Sequence, residues 1–479
     1  MSRQTGVATK VVTFRNGLGL VIGLQIGSGI FSTPGLVAQV GSPGASILVW
    51  IASGLLAWTG ASSYAELGSS LPFNGGSHAY LQHIYGDLAA FLFSWTGIIA
   101  LKPGSGAIIS IITAEYINDI LFTVFAGGRE PPRWLTKLIA LLCAALVSVI
   151  VGSSTRAATR INDFFTFTKI ITLMAITGIG FVWLGLGHGT DVYRVNPFSG
   201  SSLNGGTYAL ALYSGLWAFD GWDNCSYVAN EMINPARDIP RVVHVAQPIV
   251  ITAYVLANLS YFAVLPLLDI QKTHAVALDF GNAIFGTAGG LVFAVAVICS
   301  SLGALLSSTF TTARLVAVSG EQKELPAAFG RLHPRTNTPI NAILLQLGLM
   351  SIYIAVGDFE RLVTFYGVSA WIFFFATVFG SILLRIKQPD LIRPYKTWLA
   401  TPIVFCCVAL FLVVRGVFEA PKESGLGIMF ISLGVPAYVV RFGTGTVPTL
   451  RSLMSPLVRL FRTPEGGGTR AGNASYRNI

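Results

Sequence analysis

Twelve apolar runs punctuate the 479-residue chain and leave it few possible folds. They lie near residues 14–40, 45–71, 87–118, 135–153, 161–187, 206–232, 242–268, 282–318, 339–357, 362–384, 398–416 and 425–441. A helix needs about 20 residues to cross the hydrocarbon layer of a bilayer. Charged residues are 11% of the chain, less than half of the ~25% usual in soluble domains. The pattern predicts an all-α membrane protein with twelve transmembrane helices. The third and eighth runs are long enough to tilt strongly or to project beyond the bilayer.

The formal net charge of +10 does not argue for nucleic-acid binding, because its placement has another cause. With the N-terminus inside, the inner segments hold 21 of the 31 Lys and Arg residues, the outer loops hold 8, and Lys102 and Lys169 fall within spans. Inner loops of membrane proteins carry such an excess. This predicts cytoplasmic termini, most simply at the plasma membrane. Residues 1–13 form the N-terminal segment, and 442–479 form a basic tail expected to be partly disordered. Within the tail, Leu450–Phe461 is either a basic amphipathic helix on the inner leaflet or a frayed end. The loops are short and hold no soluble domain. A cleavable signal peptide is not expected. The five cysteines fall in apolar spans and are expected to be free thiols. The sequons at Asn224, Asn258 and Asn473 lie in spans or in the tail, so none is expected to carry glycan.

Two spans are interrupted in their middles. The first reads Gln25-Ile26-Gly27-Ser28-Gly29-Ile30-Phe31-Ser32-Thr33-Pro34-Gly35. Within a helix, Gly costs roughly 1 kcal/mol relative to Ala and Pro roughly 3. Backbone groups freed at membrane depth are tolerated only where protein or a water-filled cavity satisfies them. The stretch therefore predicts a break near Gly27–Gly29, with the N–H groups of a new half-helix facing a cavity. Such an end attracts anions. A glycine face for close helix packing is the other reading. The second interruption, Ser214-Gly215-Leu216-Trp217-Ala218-Phe219-Asp220-Gly221-Trp222-Asp223-Asn224, places two carboxylates and an amide in span six. It follows the first by five spans. Matched interruptions in two halves point to a transporter site, and two five-span repeats of opposite topology would result. Two unrelated kinks are the alternative.

Other polar groups at membrane depth are rarer and less explicit. Lys169 in span five either braces the first broken helix or snorkels to the interface. Lys102, followed by Pro103 in span three, has no evident role. Glu66 is expected to pair with a loop arginine, and Glu115 to meet water near the outer end of its span. His78 and His83 lie in the Gly-rich connection 73–86, where a structural role is commoner than proton relay. The six histidines are scattered, which argues against a catalytic or metal cluster. No metal or cofactor is expected. No filter-like ring for a channel is visible. A membrane-embedded enzyme and a channel remain the remote alternatives to a carrier.

Several of these stretches resemble those of L-type amino acid transporters in the amino acid–polyamine–organocation superfamily, across nearly the whole chain. They are Ile26-Gly27-Ser28-Gly29-Ile30-Phe31, Gly41-Ser42-Pro43-Gly44, Tyr64-Ala65-Glu66-Leu67-Gly68 and Glu231-Met232-Ile233-Asn234-Pro235. Phe310-Thr311-Thr312-Ala313-Arg314, Leu325-Pro326, Thr338-Pro339 and Arg393-Pro394-Tyr395-Lys396 complete the set. The resemblance implies a LeuT-type fold, with a first repeat over 14–190, a second over 206–384 and two extra spans over 398–441. It also implies sodium-independent transport of L-amino acids by alternating access. Backbone at Gly27, Ser28 and Gly29 would hold the substrate carboxylate. Backbone at Gln25, Trp217 and Asp220 would hold the α-ammonium. Trp217 would gate the site and line the side-chain pocket with Phe219 and Trp222. Lys169 would stand where sodium binds in relatives.

The chain departs from the family in three places. Asp220 stands where neutral-preferring members usually have glycine, and a similar Asp-Gly-Trp occurs in a branch that also carries cationic amino acids. Asp220 is therefore either a partner for a cationic side chain or a cap within the break. Residues 125–134 hold no cysteine, so no disulfide-linked heavy chain is expected, as in microbial and fungal members. The family's asparagines in spans eight and ten are replaced near Leu306 and Ala370. Large neutral substrates such as methionine are the first expectation, and a broad neutral-plus-cationic exchanger is the alternative. Gly29→Val is expected to abolish binding by filling the space for the carboxylate.

Overall fold

The computed structural model describes residues 13–442, except 74, 126–130, 154, 191–195, 322–323, 334–335, 337 and 358. The expectations for the N-terminal segment, the basic tail with Leu450–Phe461 and the Asn473 sequon lie outside the described residues, as does part of the 125–134 segment.

The described residues are helical and contain no strand. The first run is α1 (Phe14–Gln25), α2 (Gly29–Ser32) and α3 (Pro34–Val37). Thr13 and Asn16 form a capping box that starts α1. The segment Phe14–Ser32 meets Pro34–Val40 at a bend of 64°. Ser42 accepts from the Ala45 N–H at 3.2 Å and Pro43 occupies the first turn, so α4 (Pro43–Ser70) starts sharply.

The connection 73–86 is a helix for much of its length, α5 (Ser77–Tyr85). It carries too few apolar residues to be legible as a span. Next come α6 (Asp87–Thr96) and α7 (Lys102–Phe125), joined by a π-turn over Gly97–Leu101. Pro103 explains that turn, because it cannot donate to the carbonyl four residues back, that of Ile99. The Tyr353 hydroxyl donates to that carbonyl instead, at 3.2 Å.

The chain continues through α8 (Arg133–Ser153), α9 (Thr155–Gly185) and α10 (Gly205–Ala218). Span six is thus not one α-helix: beyond α10 it turns, and Asn224–Glu231 is a 3-10 segment. Then follow α11 (Pro235–Val264), α12 (Leu267–Lys272) and α13 (Val276–Glu321), which kinks at Gly286, where φ is +65°. The final elements are α14 (Ile340–Val356), α15 (Phe359–Lys387), α16 (Ala400–Glu419) and α17 (Pro421–Phe442).

Nine helical stretches among the described residues are long and apolar enough to cross a membrane, and the bent first run makes ten. Helix α14, with 17 residues, is apolar but shorter. Large apolar side chains lie exposed at helical spacing on α8 (Leu138, Leu142, Leu146, Val149) and on α9 (Phe167, Ile171, Met174). These are surfaces for lipid rather than water.

Helix α11 packs along α4 and α9, α13 along α7 and α9, and α15 along α16. The broken segments lie inside this frame. At one end of the molecule the Gly44 N–H donates to Pro197 O and the Ser202 N–H to Val40 O, both at 2.8 Å. At the other end Glu66 binds Arg385, accepts the Thr397 N–H at 3.0 Å and has Arg393 at 3.6 Å. His78 meets Glu324 there at 2.8 Å.

Candidate functional site

The break in the first run is a set of backbone groups without helical partners. Ile26 leaves the helical region with ψ at 78°, and the Gly27 N–H turns back to Gln25 O at 2.7 Å. Helix α2 resumes at Gly29. Among the described residues, the N–H groups of Ser28, Gly29 and Ile30 find no protein acceptor. A helix start leaves such donors free. The carbonyls freed by the same break are satisfied by side chains. Lys169, 1% exposed, donates from Nζ to Gly23 O at 2.5 Å. Tyr254 donates to Gln25 O at 2.6 Å and lies 3.1 Å from Ala218 O. Ser300 donates to Gly27 O at 3.3 Å.

The second break lies directly against the first. Helix α10 ends at Ala218, and the Asp220 N–H donates to Trp217 O at 3.1 Å. Gly221 takes φ of +105°, a conformation that favours glycine. A Cβ on Gly29 would come within 2.6 Å of Ala218 Cα, so the bare glycine is what lets the two breaks touch. The Gln25 side chain ties them together by donating to Phe219 O at 3.0 Å.

The two breaks share a cavity of about 70 Å³. One wall is Gly27, Ser28 and Gly29; another is Trp217, Asp220 and Gly221. Helix α7 contributes Lys102, Ser105 and Ile109, and α13 contributes Ala304, Ser308 and Thr311, each set on one helical face. Unpaired donors at a helix start suit an anionic group. Asp220 and the C-terminal end of α10 bring negative charge and the negative end of a helix dipole to the same cavity.

The model of the family described as amino acid permease matches residues 13–435. The chain belongs to the amino acid permease family. This permease is 33% identical over 437 residues to the mouse (Mus musculus) b(0,+)-type amino acid transporter 1, covering 91% of the chain and 88% of that relative. The human (Homo sapiens) protein of the same name is 32% identical over 425 residues, covering 88% of the chain and 86% of the relative. The mouse large neutral amino acids transporter small subunit 2 is 32% identical over 437 residues, covering 90% and 81%. The permease is accordingly an amino acid transporter of the L-type branch and a multi-pass membrane protein, and the relatives are carriers, not enzymes.

The expected site residues divide into two groups. Gly27, Ser28, Gly29, Trp217 and Asp220 line the cavity of the permease together. Phe219 and Trp222 do not. Phe219 packs between Trp50 and Tyr254, and Trp222 among Tyr64, Phe374 and Phe405, so both are core aromatics rather than walls of a side-chain pocket. After a turn the side-chain direction no longer follows helical periodicity, which is why the sequence did not separate them from Trp217.

Gln25 lines the cavity, but its carbonyl already accepts from Tyr254 and from the Gly27 N–H. Both lone pairs are engaged, so this oxygen is not offered to a guest in the present conformation. Lys169 is buried and bonded to the break rather than snorkelling. Leu306 and Ala370 do not line the cavity; on α13 the facing residues are Ala304, Ser308 and Thr311. Sequence reasoning missed Ser105, Ser308 and Thr311, whose only signal was hydroxyls in apolar runs. It also missed Tyr366, which donates to Asp220 Oδ2 at 2.6 Å.

Proposed function

We propose that the permease carries L-amino acids with large neutral side chains, methionine among them, without sodium, by alternating access to this cavity. The observation that carries the reading is the trio of unpaired N–H groups at Ser28, Gly29 and Ile30. They suit a carboxylate, and the carbonyl end of α10 with Asp220 suits an α-ammonium. Zwitterion recognition between two broken helices follows from that polarity. The name of the mouse large neutral amino acids transporter small subunit 2 supports the substrate class. Lys169 supplies a fixed positive charge against the first break and takes the structural place of a bound cation.

The same reading gives twelve spans. The ten long ones are joined by the shorter α14 and by the interrupted span of α10 and Asn224–Glu231. Five-plus-five inverted repeats over 14–190 and 206–384, with spans over 398–441 added, account for matching breaks five spans apart. Cytoplasmic termini agree with the excess of Lys and Arg in the tail and the even-numbered connections, and the plasma membrane is the proposed location. Independent function, without a disulfide-linked heavy chain, agrees with the lack of cysteine over residues 125–134.

The test is uptake of labelled methionine into proteoliposomes by wild-type protein and Gly27→Ala. Gly29→Val is a poor probe, because its Cβ would collide with the backbone of α10 before it filled any cavity. A Cβ on Gly27 meets nothing closer than Ala304 Cβ and Leu24 O at 3.6 Å, so it fits and adds a methyl to the lining of the cavity. The expected result is a loss of methionine affinity of at least about tenfold, the equivalent of one good hydrogen-bonded contact or roughly 1.4 kcal/mol. Wild-type affinity in a well-folded Gly27→Ala protein would reject the site. Loading the vesicles with amino acid, and separately imposing a pH step, distinguishes exchange from proton-driven import.

A further inference from the structure

Lys102 is an ionisable group at membrane depth that the zwitterion site described above does not use. Intramembrane charges are expensive and mark functional sites. Its direction is fixed by the helix around it. The π-turn Gly97–Leu101 ends immediately before it, and one extra residue per turn resets the phase of the helix there. Lys102, Ser105 and Ile109 consequently share the face of α7 that lines the cavity.

The Lys102 ammonium stands 5.9 Å from the centroid of the Tyr227 ring and is an electrostatic neighbour of the Asp223 carboxylate. Among the described residues it donates no hydrogen bond to a protein group. Two carboxylates belong to the same cluster. Asp220 lines the cavity and accepts from Tyr366 at 2.6 Å. Asp223 is buried behind it and accepts from Tyr227. A single cation on a flexible four-carbon stem thus shares a partly desolvated space with two held carboxylates.

We propose that Lys102 is a specificity-determining residue: its ammonium compensates the Asp220 and Asp223 carboxylates and restricts the cavity to amino acids with uncharged side chains. The inference rests on the reading of this cavity as the substrate site. Two like charges repel far more strongly in a partly desolvated cavity than in water. Lysine or arginine as substrate would bring a second cation to carboxylates that already have one. A repulsive element of this kind sets specificity without adding any contact to the favoured substrate. With Lys102 removed, Asp220 faces the guest with the charge of Asp223 nearby uncompensated, and the pair attracts a guanidinium or ammonium side chain. The Asp-Gly sequence at 220–221 is thereby compatible with neutral selectivity.

The experiment is competition against labelled methionine uptake by unlabelled methionine and unlabelled arginine, in proteoliposomes of wild type, K102M, K102Q and K102R. Arginine is expected to compete poorly in wild type and in K102R. In K102M and K102Q its apparent affinity relative to methionine is expected to rise by about tenfold or more, which is roughly 1.4 kcal/mol. Four results would overturn the proposal. They are an unchanged ratio in the neutral variants, an equal rise in K102R, arginine matching methionine in wild type, and failure of both neutral variants to fold, which would make Lys102 a folding residue. Gly27→Ala separates this inference from its premise. Intact methionine affinity in Gly27→Ala rejects the site itself, whereas its loss together with an unchanged K102M ratio rejects only the role of Lys102.

Discussion

At Lys169 the chemistry is a single charge donated to a single carbonyl. Gly23 O is near the end of α1, where the chain leaves the helix three residues later, and Lys169 Nζ reaches it at 2.5 Å from another helix. Removing the ammonium leaves that carbonyl without its donor in a buried setting, a loss of about 1–3 kcal/mol. Lys169→Met keeps most of the apolar stem and deletes the charge, so it separates the bond from the packing. We expect Lys169→Met to lower methionine uptake severalfold, as Lys169→Ala should. Replacing external sodium with choline should change uptake in none of the three proteins, because losing the lysine removes a brace without building the oxygen ligands that sodium needs. Sodium-stimulated uptake by either variant would refute the brace. This residue was legible in the sequence because a lysine in an apolar span has few possible fates. Phe219 and Trp222 were not legible, since aromatic residues beside a break are equally suited to wall and core.

The helix α6–α7 shows how one imino acid directs a distant function. Pro103 withholds the N–H that Ile99 O would accept, the helix widens into a π-turn, and Tyr353 from α14 supplies the missing donor. The three features should be energetically coupled. Tyr353→Phe alone is expected to cost about 1 kcal/mol, read as a lower unfolding temperature in detergent. In a Pro103→Ala background the restored N–H satisfies the carbonyl, and the same substitution should cost less, by about 0.5 kcal/mol or more in a double-mutant cycle. Additive effects would mean that the hydroxyl does not replace the amide. Pro103→Ala should also shift the arginine-to-methionine ratio toward that of K102M, because an unbulged helix turns Lys102 away from the cavity. The proline was visible in the sequence, but the direction of Lys102 was not. That direction depends on helix phase, and a π-turn changes phase without changing the apolar pattern that reveals a span. The two broken helices were legible for the opposite reason: Gly and Pro are penalised where they stand, so a membrane protein retains them there only with satisfied backbone around them.

Across the whole molecule the polar clusters separate into two ends, and the separation makes the proposed topology testable. The start of α4 is bonded to residues 197–202, and the end of α4 delivers Glu66 to Arg385 and Thr397. Helix α4 has 28 residues, which at 1.5 Å per residue is about 42 Å, enough to cross the ~30 Å hydrocarbon layer and reach both interfaces. Leu203 and Asp390 are exposed on the loops at these two ends. In the proposed topology, which follows the excess of Lys and Arg, the Asp390 end is inside. A membrane-impermeant thiol reagent applied to intact cells should therefore label Leu203→Cys and spare Asp390→Cys, and Asp390→Cys should react only after permeabilisation. The native thiols give little background, since Cys143, Cys225 and Cys406 are buried, Cys299 is half-buried, and Cys407 is exposed on α16, within the lipid-facing region. Labelling of both positions from the same side would break the count of spans between them, which runs from the loop before span six to the loop after span ten. Labelling of Asp390→Cys alone would keep the count and invert the molecule. It would then place the His78–Glu324 and Glu66–Arg385 pairs at the outer mouth of the transport path rather than the inner one.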